Sequence, residues 1–301
     1  MTCFNIETLT ADSDHALALW NCAAEHDPMG KALWREKVWE DDGAQQEGRL
    51  LVFHGDSPIG LVVAATRLNS AERRGYVKML AVHPEFRRQG TGSLLLALAE
   101  GHLAEQGCRE VRAAESAPNY LTPGVDERYQ EAAQFFPSRG YARLGEAVNM
   151  TVALQGNSLL ETPRQSLPGG CRIERAASGD QAAVLTLLRE HWPAWEHEVL
   201  AALANAPPTL LLAWEDVRVV GFSAYECNNR GTGWFGPMGV APQARGRGLG
   251  RRLLLLCLEE MSLLGFQQAI IPWVGPTEFY AQTVGAVIDR RFTRYQKFLP
   301  Q

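Results

Sequence analysis

The chain has 301 residues, of which 46% are hydrophobic and 21% are charged, and its formal net charge is −5. This length and composition favour two globular domains. The acidic net charge argues against broad binding to nucleic acid, which needs a basic face.

The six cysteines form no C-x-x-C pair and no cluster with histidine at zinc-site spacing, so no metal is expected. Cys257 lies in an apolar helical run, where we expect a buried thiol. No basic segment followed by an apolar one opens the chain, and no apolar run is long enough to span a bilayer. Together these features predict a cytoplasmic protein with free thiols and no membrane association.

The predicted secondary structure follows the same order in both halves of the chain. Apolar residues at a helical period predict helices, and apolar or β-branched runs between turn residues predict strands. In the first half these are a helix at 12–25, strands at 49–53, 58–68 and 76–82, a helix at 93–106, a strand at 110–114, a helix at 130–138 and a strand at 147–154. In the second half they are a helix at 179–191, strands at 209–214, 217–226 and 234–240, a helix at 251–264, a strand at 269–274, a helix at 276–283 and a strand at 290–298. Gly107 and Gly265 are placed to cap the two long helices.

An internal repeat relates the two halves at an offset of 158 residues. The repeated residues are Val82, Pro84, Arg87, Gly90, Gly92, Leu95, Leu96, Leu98 and Gly107 in the first copy and Val240, Pro242, Arg245, Gly248, Gly250, Leu253, Leu254, Leu256 and Gly265 in the second. Since this period exceeds that of any solenoid repeat, each copy is predicted to be a domain. Residues 155–170, rich in Pro, Gly, Ser and Thr, predict a linker, which places the domains at 1–154 and 171–301.

The first copy carries an insertion after its fifth strand. Gly140 follows Gly107 by 33 residues in the first copy, whereas Gly285 follows Gly265 by 20 residues in the second, so the first copy is about 13 residues longer. The extra residues are predicted at 119–130 (NYLTPGVDERYQ), which hold two tyrosines and no helical pattern. We therefore expect a loop there.

A glycine-containing turn between a strand and a leucine-rich helix occurs in both copies. It runs RRQGTG at 87–92 and RGRGLG at 245–250. Backbone N–H groups that converge in such a turn bind an anion, and the positive end of the following helix strengthens the effect. Glycine lets the backbone approach a phosphate without a clashing side chain. Neither turn has the third glycine of a Rossmann site or the G-K-S/T of a Walker A site.

The pattern R-x-x-G-x-G, preceded by proline in HPEFRRQGTG and APQARGRGLG, resembles the pyrophosphate-binding motif of the GNAT (Gcn5-related N-acetyltransferase) family. The resemblance covers nearly all of both halves in element order, and the tandem arrangement is similar to that of mycothiol synthase. It implies the α/β fold class, with two tandem GNAT folds that each hold a mixed, mostly antiparallel sheet flanked by helices. It also implies acetyl-CoA as cosubstrate and a small-molecule amine as the acceptor.

The resemblance further implies which groups hold acetyl-CoA. Backbone N–H groups on the strand before each turn would stabilise the thioester oxygen as it becomes negative. These strand residues are Leu80, Ala81 and Val82 in the first copy and Met238, Gly239 and Val240 in the second. The pyrophosphate would lie on the two turns, formed by Arg87, Arg88, Gln89, Gly90, Thr91 and Gly92 and by Arg245, Gly246, Arg247, Gly248, Leu249 and Gly250.

In this family the acid that protonates the departing thiolate is commonly a tyrosine on the short helix after the fifth strand. The second copy has Phe279-Tyr280 in that position, which makes Tyr280 the candidate acid. The first copy has Phe136 there, which cannot donate a proton. Tyr120, in the insertion, is an alternative for the first copy. Domain one is therefore expected to be a scaffold that can still bind CoA, and domain two is expected to carry the chemistry.

The sequence does not single out one general base. Many family members use a glutamate on the strand before the turn, but neither 76–82 nor 234–240 contains one. Glu226, at the end of the preceding strand, and a chain of water molecules are the two candidates. Trp192, Trp195 and Trp234 either line the acceptor pocket or belong to the core.

Two functions are consistent with the sequence. The first is an acetyl-CoA-dependent N-acetyltransferase in which a small amine attacks the thioester directly. The second is a protein that binds acyl-CoA as a sensor without turnover, which the missing strand glutamates would allow. The sequence indicates neither the acceptor nor the oligomeric state.

Overall fold

The computed structural model describes residues 4–10, 14–69, 72–160, 167 and 169–300. The chain forms two compact units. Unit 1 consists of Met1–Ala147 together with Arg291–Gln301, and unit 2 consists of Val148–Arg290.

A mixed sheet forms the centre of unit 1. Its strands are β1 (Phe4–Thr8), β2 (Arg49–His54), β3 (Ser57–Asn69), β4 (Glu72–Val82), β5 (Glu110–Ala113), the two-residue strand β6 (Val125–Asp126) and, from Arg291 onward, the last strand β13 (Val287–Phe298). The order is β1-β2-β3-β4-β5-β13, with β6 also paired to β13. The β4–β5 pair is parallel, and the other pairs are antiparallel.

Helices cover both faces of this sheet. They are α1 (Asp14–Ala23), α2 (Lys31–Trp34), which continues as a wider turn over Arg35–Trp39, α3 (Thr91–Glu105) and α4 (Gln130–Ser138). Leu95, Ala99 and Leu103 recur every four residues along α3 and are fully buried in the core on one face. The opposite face carries a second core that includes Trp20 of α1 and Trp34 of α2.

Unit 2 repeats this plan with shorter strands. An antiparallel sheet of order β11-β10-β9-β8 is formed by β8 (Cys171–Arg175), β9 (Leu210–Glu215), β10 (Arg218–Tyr225) and β11 (Phe235–Val240). A second pairing joins β12 (Gln268–Ile271) to residues 150–153 of β7 (Ala142–Ala153). The helices are α5 (Gln181–His191), α6 (Glu196–Ala204), α7 (Leu249–Leu263) and α8 (Thr277–Val284).

The limits of the compact units differ from the predicted domain boundaries at 154 and 171. The end of β13 lies in unit 1, because Gln296, Lys297 and Phe298 pair with β5. Residues 148–154 lie in unit 2, where β7 pairs with β12. A sequence pattern indicates that a strand exists but not which strand it pairs with. The sequence therefore could not show that the end of β13 belongs to unit 1 and residues 148–154 to unit 2. Much of the predicted linker at 155–170 lies outside the described residues.

The predicted α/β fold class is confirmed, and most predicted elements are present within a few residues of their expected limits. Gly107 and Gly265 follow the long helices with φ of 80° and 93°, as expected of C-terminal caps. The Cys257 thiol is fully buried. Five of the helices and strands given above were not predicted, namely β1, α2, β6, α6 and β8. The predicted start of the first helix, at residue 12, lies outside the described residues.

The predicted loop at 119–130 is mostly irregular but includes β6. Among the described residues, no helix combines the length and apolar character needed to cross a membrane.

Candidate functional site

A gap opens in the sheet of unit 1 between β4 and β5. The two parallel strands pair from Arg74 opposite Glu110 to Val77 opposite Ala113. Beyond this point β5 ends, and the chain turns away at Ala114 and Glu115, both with positive φ. The rest of β4 therefore runs along an open edge.

Two residues of β4, Leu80 and Val82, direct their backbone polar groups at this gap. The N–H of His83 donates to the carbonyl of Ile59 in β3 at 2.8 Å, so His83 faces β3. Because hydrogen-bonding direction alternates along an antiparallel strand, Leu80 and Val82 direct their N–H and C=O groups to the other side, and Ala81 faces β3. Of the three predicted donors, Leu80 and Val82 are thus the two with N–H groups available to a ligand.

A cleft of about 830 Å³ occupies the gap. Its walls are β4, the turn after β4, the C-terminal end of α1 with the following residues, the insertion and α4. This volume is within the usual range for sites that bind small molecules and cofactors. Leu80, Ala81, Val82, Arg87, Arg88, Gly90 and Gly92 of the predicted cofactor set line it.

Two other predicted residues of this set do not line the cleft. The Gln89 amide donates a hydrogen bond of 3.0 Å to the carbonyl of Glu85. The Thr91 side chain is 1% exposed and packs towards Gly60 of β3. Both residues therefore contribute to the turn through their backbones.

The turn after β4 has the backbone of an anion-binding nest. Arg88 and Gly90 have φ of 62° and 94°, and Gly90 immediately precedes α3. In unit 2 the corresponding residues, Gly246 and Gly248, have φ of 74° and 78°, and Gly248 immediately precedes α7. Alternation of left-handed residues with ordinary ones turns successive N–H groups towards a common centre.

Arg87 and Arg245, the repeated arginines, connect each turn to the preceding strand by the same hydrogen bond. Arg87 Nε donates to the carbonyl of Val82 at 3.3 Å, and Arg245 Nε donates to the carbonyl of Val240 at 3.1 Å. The Arg87 guanidinium also donates to the carbonyl of Ala23 and pairs with Glu131, each at 3.0 Å. Arg87 thus ties the turn to both α1 and α4 across the mouth of the cleft.

In unit 2, β11 and β12 separate in a comparable way. Trp234, the residue immediately before β11, forms a parallel bridge with Ile270 of β12, at the positions that correspond to Tyr76 and Arg112 in unit 1. The N–H of Ala241 donates to the carbonyl of Val220 in β10 at 2.8 Å. By the alternation used above, Met238 and Val240 face away from β10, and Gly239 faces it.

Side chains of unit 2 contact Arg247 and Gly239 of the predicted cofactor set. The Arg247 guanidinium pairs with Glu215 at 2.5 Å and donates to the Cys171 sulfur at 3.1 Å. A side chain at Gly239 would meet the Trp192 ring within 2.9 Å, so this indole lies directly on the strand. Trp192 and Trp195 stack at 5.6 Å and pack, partly buried, on the core of unit 2, whereas Trp234 is buried.

Tyr280, the predicted acid, lies on α8 with 8% of its surface exposed. Its ring packs edge-on against Phe279 and Phe235, with centroids 5.1 Å and 6.3 Å away. Burial raises the pKa of its phenol to about 12, so Tyr280 keeps its proton at neutral pH. The proposed acid role of Tyr280 stays a prediction.

Glu226, the predicted base, holds a loop. Its carboxylate accepts hydrogen bonds from the backbone N–H groups of Gly231, Gly233 and Trp234, the last two at 3.0 Å. These contacts fix the connection between β10 and β11. A role as base stays a prediction, although the Glu226 carboxylate already accepts these three backbone hydrogen bonds.

In unit 1, Phe136 packs against Tyr141 and Tyr295 and cannot act as an acid. The alternative, Tyr120, is buried with 6% of its surface exposed and is not among the residues that line the cleft. Another pair of polar residues in the cleft, Asp27 and Tyr129, was not predicted from the sequence. The Tyr129 hydroxyl donates a hydrogen bond of 2.9 Å to Asp27 Oδ2, and both residues line the cleft. They are 102 residues apart, and no local motif connects them.

A buried ionic cluster adjoins the cleft at the point where β4 bulges. The β3–β4 register shifts so that Lys78 is the additional residue, and its ammonium pairs with Asp41, which also binds Arg67 at 2.7 Å. Burial lowers the pKa of Lys78 to about 7, although the Asp41 carboxylate opposes the shift. Burial raises the pKa of Asp41, but Lys78 and Arg67 outweigh this effect and lower it overall.

Comparisons with known proteins point to one family. The model of the acetyltransferase (GNAT) family matches residues 14–122 and 181–284. No curated protein has significant sequence similarity to the chain. Within the described residues, no group of three or more His, Cys, Asp or Glu side chains could hold a metal ion.

Three solved structures resemble nearly the whole chain. A glucosamine N-acetyltransferase region of a fungal multidomain beta-N-acetylglucosaminidase is 18% identical over 99% of this chain, with a TM-score of 0.84, and this chain spans 38% of that protein. A tandem GNAT protein from the clavulanic acid biosynthesis pathway is 19% identical over 99% of this chain and 100% of its own, with a TM-score of 0.75. A GNAT protein from Sphaerobacter thermophilus is 18% identical over 98% of this chain and 95% of its own, with a TM-score of 0.73. At these identities the likeness concerns the fold.

Proposed function

Because the chain belongs to the acetyltransferase (GNAT) family, we propose that it transfers an acetyl group from acetyl-CoA to the amine of a small acceptor, and that the transfer takes place in the cleft of unit 1. The amine attacks the thioester carbonyl directly, without an acyl-enzyme intermediate. The family membership supports acetyl transfer in general. The acceptor, the direct attack and the choice of unit are our proposal.

The cleft of unit 1 is the observation that carries this proposal. It joins an anion-binding turn at Arg88 and Gly90 to an open strand edge at Leu80 and Val82. The pyrophosphate of acetyl-CoA would lie on the turn, against the positive end of α3. The pantetheine arm would then follow β4, with the thioester oxygen near the N–H of Leu80.

The polar side chains in this cleft favour catalysis in unit 1, whereas the sequence predicted catalysis in domain two. That expectation depends on Tyr280, whose phenol is buried between aromatic rings. Unit 1 offers polar side chains along the same cleft as the turn, among them Asp27 and Tyr129. The second unit stays the alternative site, with Tyr280 as its acid.

The experiment compares matched substitutions in the two turns. Neither Gly90 nor Gly248 has an atom within 4 Å of the position a Cβ would take, and both have positive φ. Asp and Asn both tolerate this conformation and differ mainly in charge, so the Gly→Asp and Gly→Asn pair at each site separates charge from strain. The assay is release of the coenzyme A thiol from acetyl-CoA with a panel of primary amines.

We expect Gly90→Asp to lower turnover far more than Gly90→Asn, because a carboxylate in the nest repels the pyrophosphate. Gly248→Asp should retain most of the turnover, provided that circular dichroism shows all four variants folded. The reverse pattern would move the chemistry to unit 2. Tight binding of acetyl-CoA by the wild-type protein without thiol release for any amine would instead support an acyl-CoA sensor.

A further inference from the structure

The residue that follows the first helix differs in size between the two units. Helix α1 ends at Ala23, so this residue is Ala24 in unit 1, and helix α5 ends at His191, so it is Trp192 in unit 2. Ala24 lines the cleft of unit 1. Since an indole takes up far more space than a methyl group, the corresponding position of unit 2 carries a much larger side chain.

The strand that would bind the thioester differs in a complementary way. Ala81 of β4 lines the cleft, and at the repeat offset of 158 residues its counterpart in β11 is Gly239. A Cβ atom at Gly239 would lie 2.9 Å from two atoms of the Trp192 ring, which is closer than side chains pack in proteins. Glycine at this position therefore leaves the space that the Trp192 ring fills, and an alanine there, as in unit 1, would displace the ring.

Three ring contacts hold Trp192 in place. The indole stacks on Trp195 with centroids 5.6 Å apart and forms a T-shaped contact with Phe222 of β10 at 5.8 Å. His191 lies 5.3 Å away on another side, and Trp195 itself packs edge-on against Phe222 at 6.1 Å. Stacked and edge-to-face arrangements of this kind are favourable. A ligand that displaced the Trp192 ring would have to break these contacts.

The Trp192 ring lies where the cosubstrate would pass. In the proposed function the pantetheine arm follows β4 past Ala81, along the open cleft of unit 1. The same arm in unit 2 would follow β11 past Gly239, where the indole already lies. Gly246 and Gly248 of the turn keep their positive φ. The obstruction therefore concerns the pantetheine arm and not the phosphate groups.

We infer that Trp192 closes unit 2 to the pantetheine arm of coenzyme A, so that the chain binds a single molecule of the cosubstrate, in unit 1. This inference rests on the part of the proposed function that places acetyl-CoA in unit 1. It makes Trp192 the residue that determines which of the two repeated turns is used, whereas the sequence left open whether this residue lines an acceptor pocket.

Calorimetric titration with coenzyme A counts the binding sites. The wild-type protein should bind one molecule per chain, and Gly90→Asp should abolish this binding because the occupied turn is that of unit 1. Trp192→Ala should bind two molecules per chain, since the pantetheine arm then has room along β11. The double variant Trp192→Ala/Gly90→Asp should bind one molecule, which would place the gained site in unit 2.

Trp195→Ala is the matched control. It removes an equally large ring from the same aromatic cluster but leaves Trp192 on the strand, so it should bind one molecule of coenzyme A like the wild type. Trp192→Leu is a milder second variant, because leucine keeps apolar packing and is smaller than an indole. Circular dichroism identifies the folded variants.

Separate outcomes overturn the inference and the proposed function. Two molecules bound by the wild type, or one bound by folded Trp192→Ala and Trp192→Leu, would overturn the inference alone, and the wild-type count needs no change at Trp192. Binding by the wild type that survives Gly90→Asp would overturn the site in unit 1 and this inference with it. A protein that binds coenzyme A in unit 1 but never releases thiol would overturn acetyl transfer and leave the inference intact.

Discussion

Lys78 and Asp41 form an ion pair in the interior of unit 1, at the bulge in β4 where Lys78 has no register partner on β3. The Lys78 side chain is 1% exposed and that of Asp41 is 3% exposed. Removal of two charges from water is costly, and the pair is stabilised further by Arg67 on the same carboxylate. The β4 bulge thus brings a strongly perturbed titratable group next to the cleft.

The first prediction concerns the pH dependence of stability. The pKa of Lys78 is lowered to about 7 from an ordinary 10.5, so between these values the unfolded chain binds more protons than the folded one. The contribution of Lys78 to the free energy of unfolding is therefore least favourable below pH 7 and rises with pH up to the unfolded pKa. Lys78→Met removes this contribution and leaves Asp41 paired with Arg67. The wild-type protein should gain stability relative to the variant between about pH 6 and about pH 9 in urea unfolding.

Exposed Lys31 provides the control for this measurement. Lys31→Met removes a lysine from the protein surface instead, so its free energy of unfolding should differ from that of the wild type by a small amount that does not follow the pH profile of Lys78→Met. Parallel pH profiles for the wild type and Lys78→Met would show that Lys78 keeps its proton throughout the range.

The second prediction concerns the arginine that spans the cleft mouth. Arg87 holds the carbonyls of Val82 and Ala23 and the carboxylate of Glu131 with one planar guanidinium. Lysine keeps the charge but cannot span three acceptors. Arg87→Lys should therefore raise the KM for acetyl-CoA about tenfold, a loss of roughly 1.4 kcal/mol. Arg245→Lys, at the repeated position in unit 2, should change KM much less, and equal effects would argue that both turns serve turnover.

The third prediction concerns Tyr280. If the chemistry takes place in unit 1, Tyr280→Phe should leave the turnover number within about threefold of the wild type, since it removes only a hydroxyl that takes no part in the reaction. A loss of roughly 10²-fold with unchanged acetyl-CoA affinity is the result expected of an acid catalyst. That result would assign the chemistry to unit 2 and make the raised pKa of Tyr280 part of the mechanism.

The fourth prediction concerns Glu226. Glutamine at this position keeps one acceptor oxygen but presents an NH₂ group to a backbone N–H of the loop. Glu226→Gln should lower the free energy of unfolding by roughly 1–3 kcal/mol, the cost of a buried donor without an acceptor. Thermal unfolding measures the change, and thiol release should be unaffected in the folded variant. A folded variant of normal stability that has lost turnover would restore Glu226 as the base.

The sequence by itself determined the repeat, the fold class and the turns. Offset identities such as Gly90 with Gly248 mark two copies, and each turn is built from consecutive residues whose φ values depend mainly on local sterics. The two long helices likewise follow from apolar residues four apart. Such features can be predicted because their causes lie within one element.

Only the tertiary structure decided which distant segments meet. The end of β13 pairs with β5 in unit 1, and Asp27 meets Tyr129 across 102 residues. The physical reason is that strand pairing and side-chain contacts depend on how separate elements pack, and many partners satisfy the same local pattern. The sequence therefore predicted a cofactor-binding turn in each half, while the location of the cleft and the contact between Asp27 and Tyr129 on its wall followed from the fold.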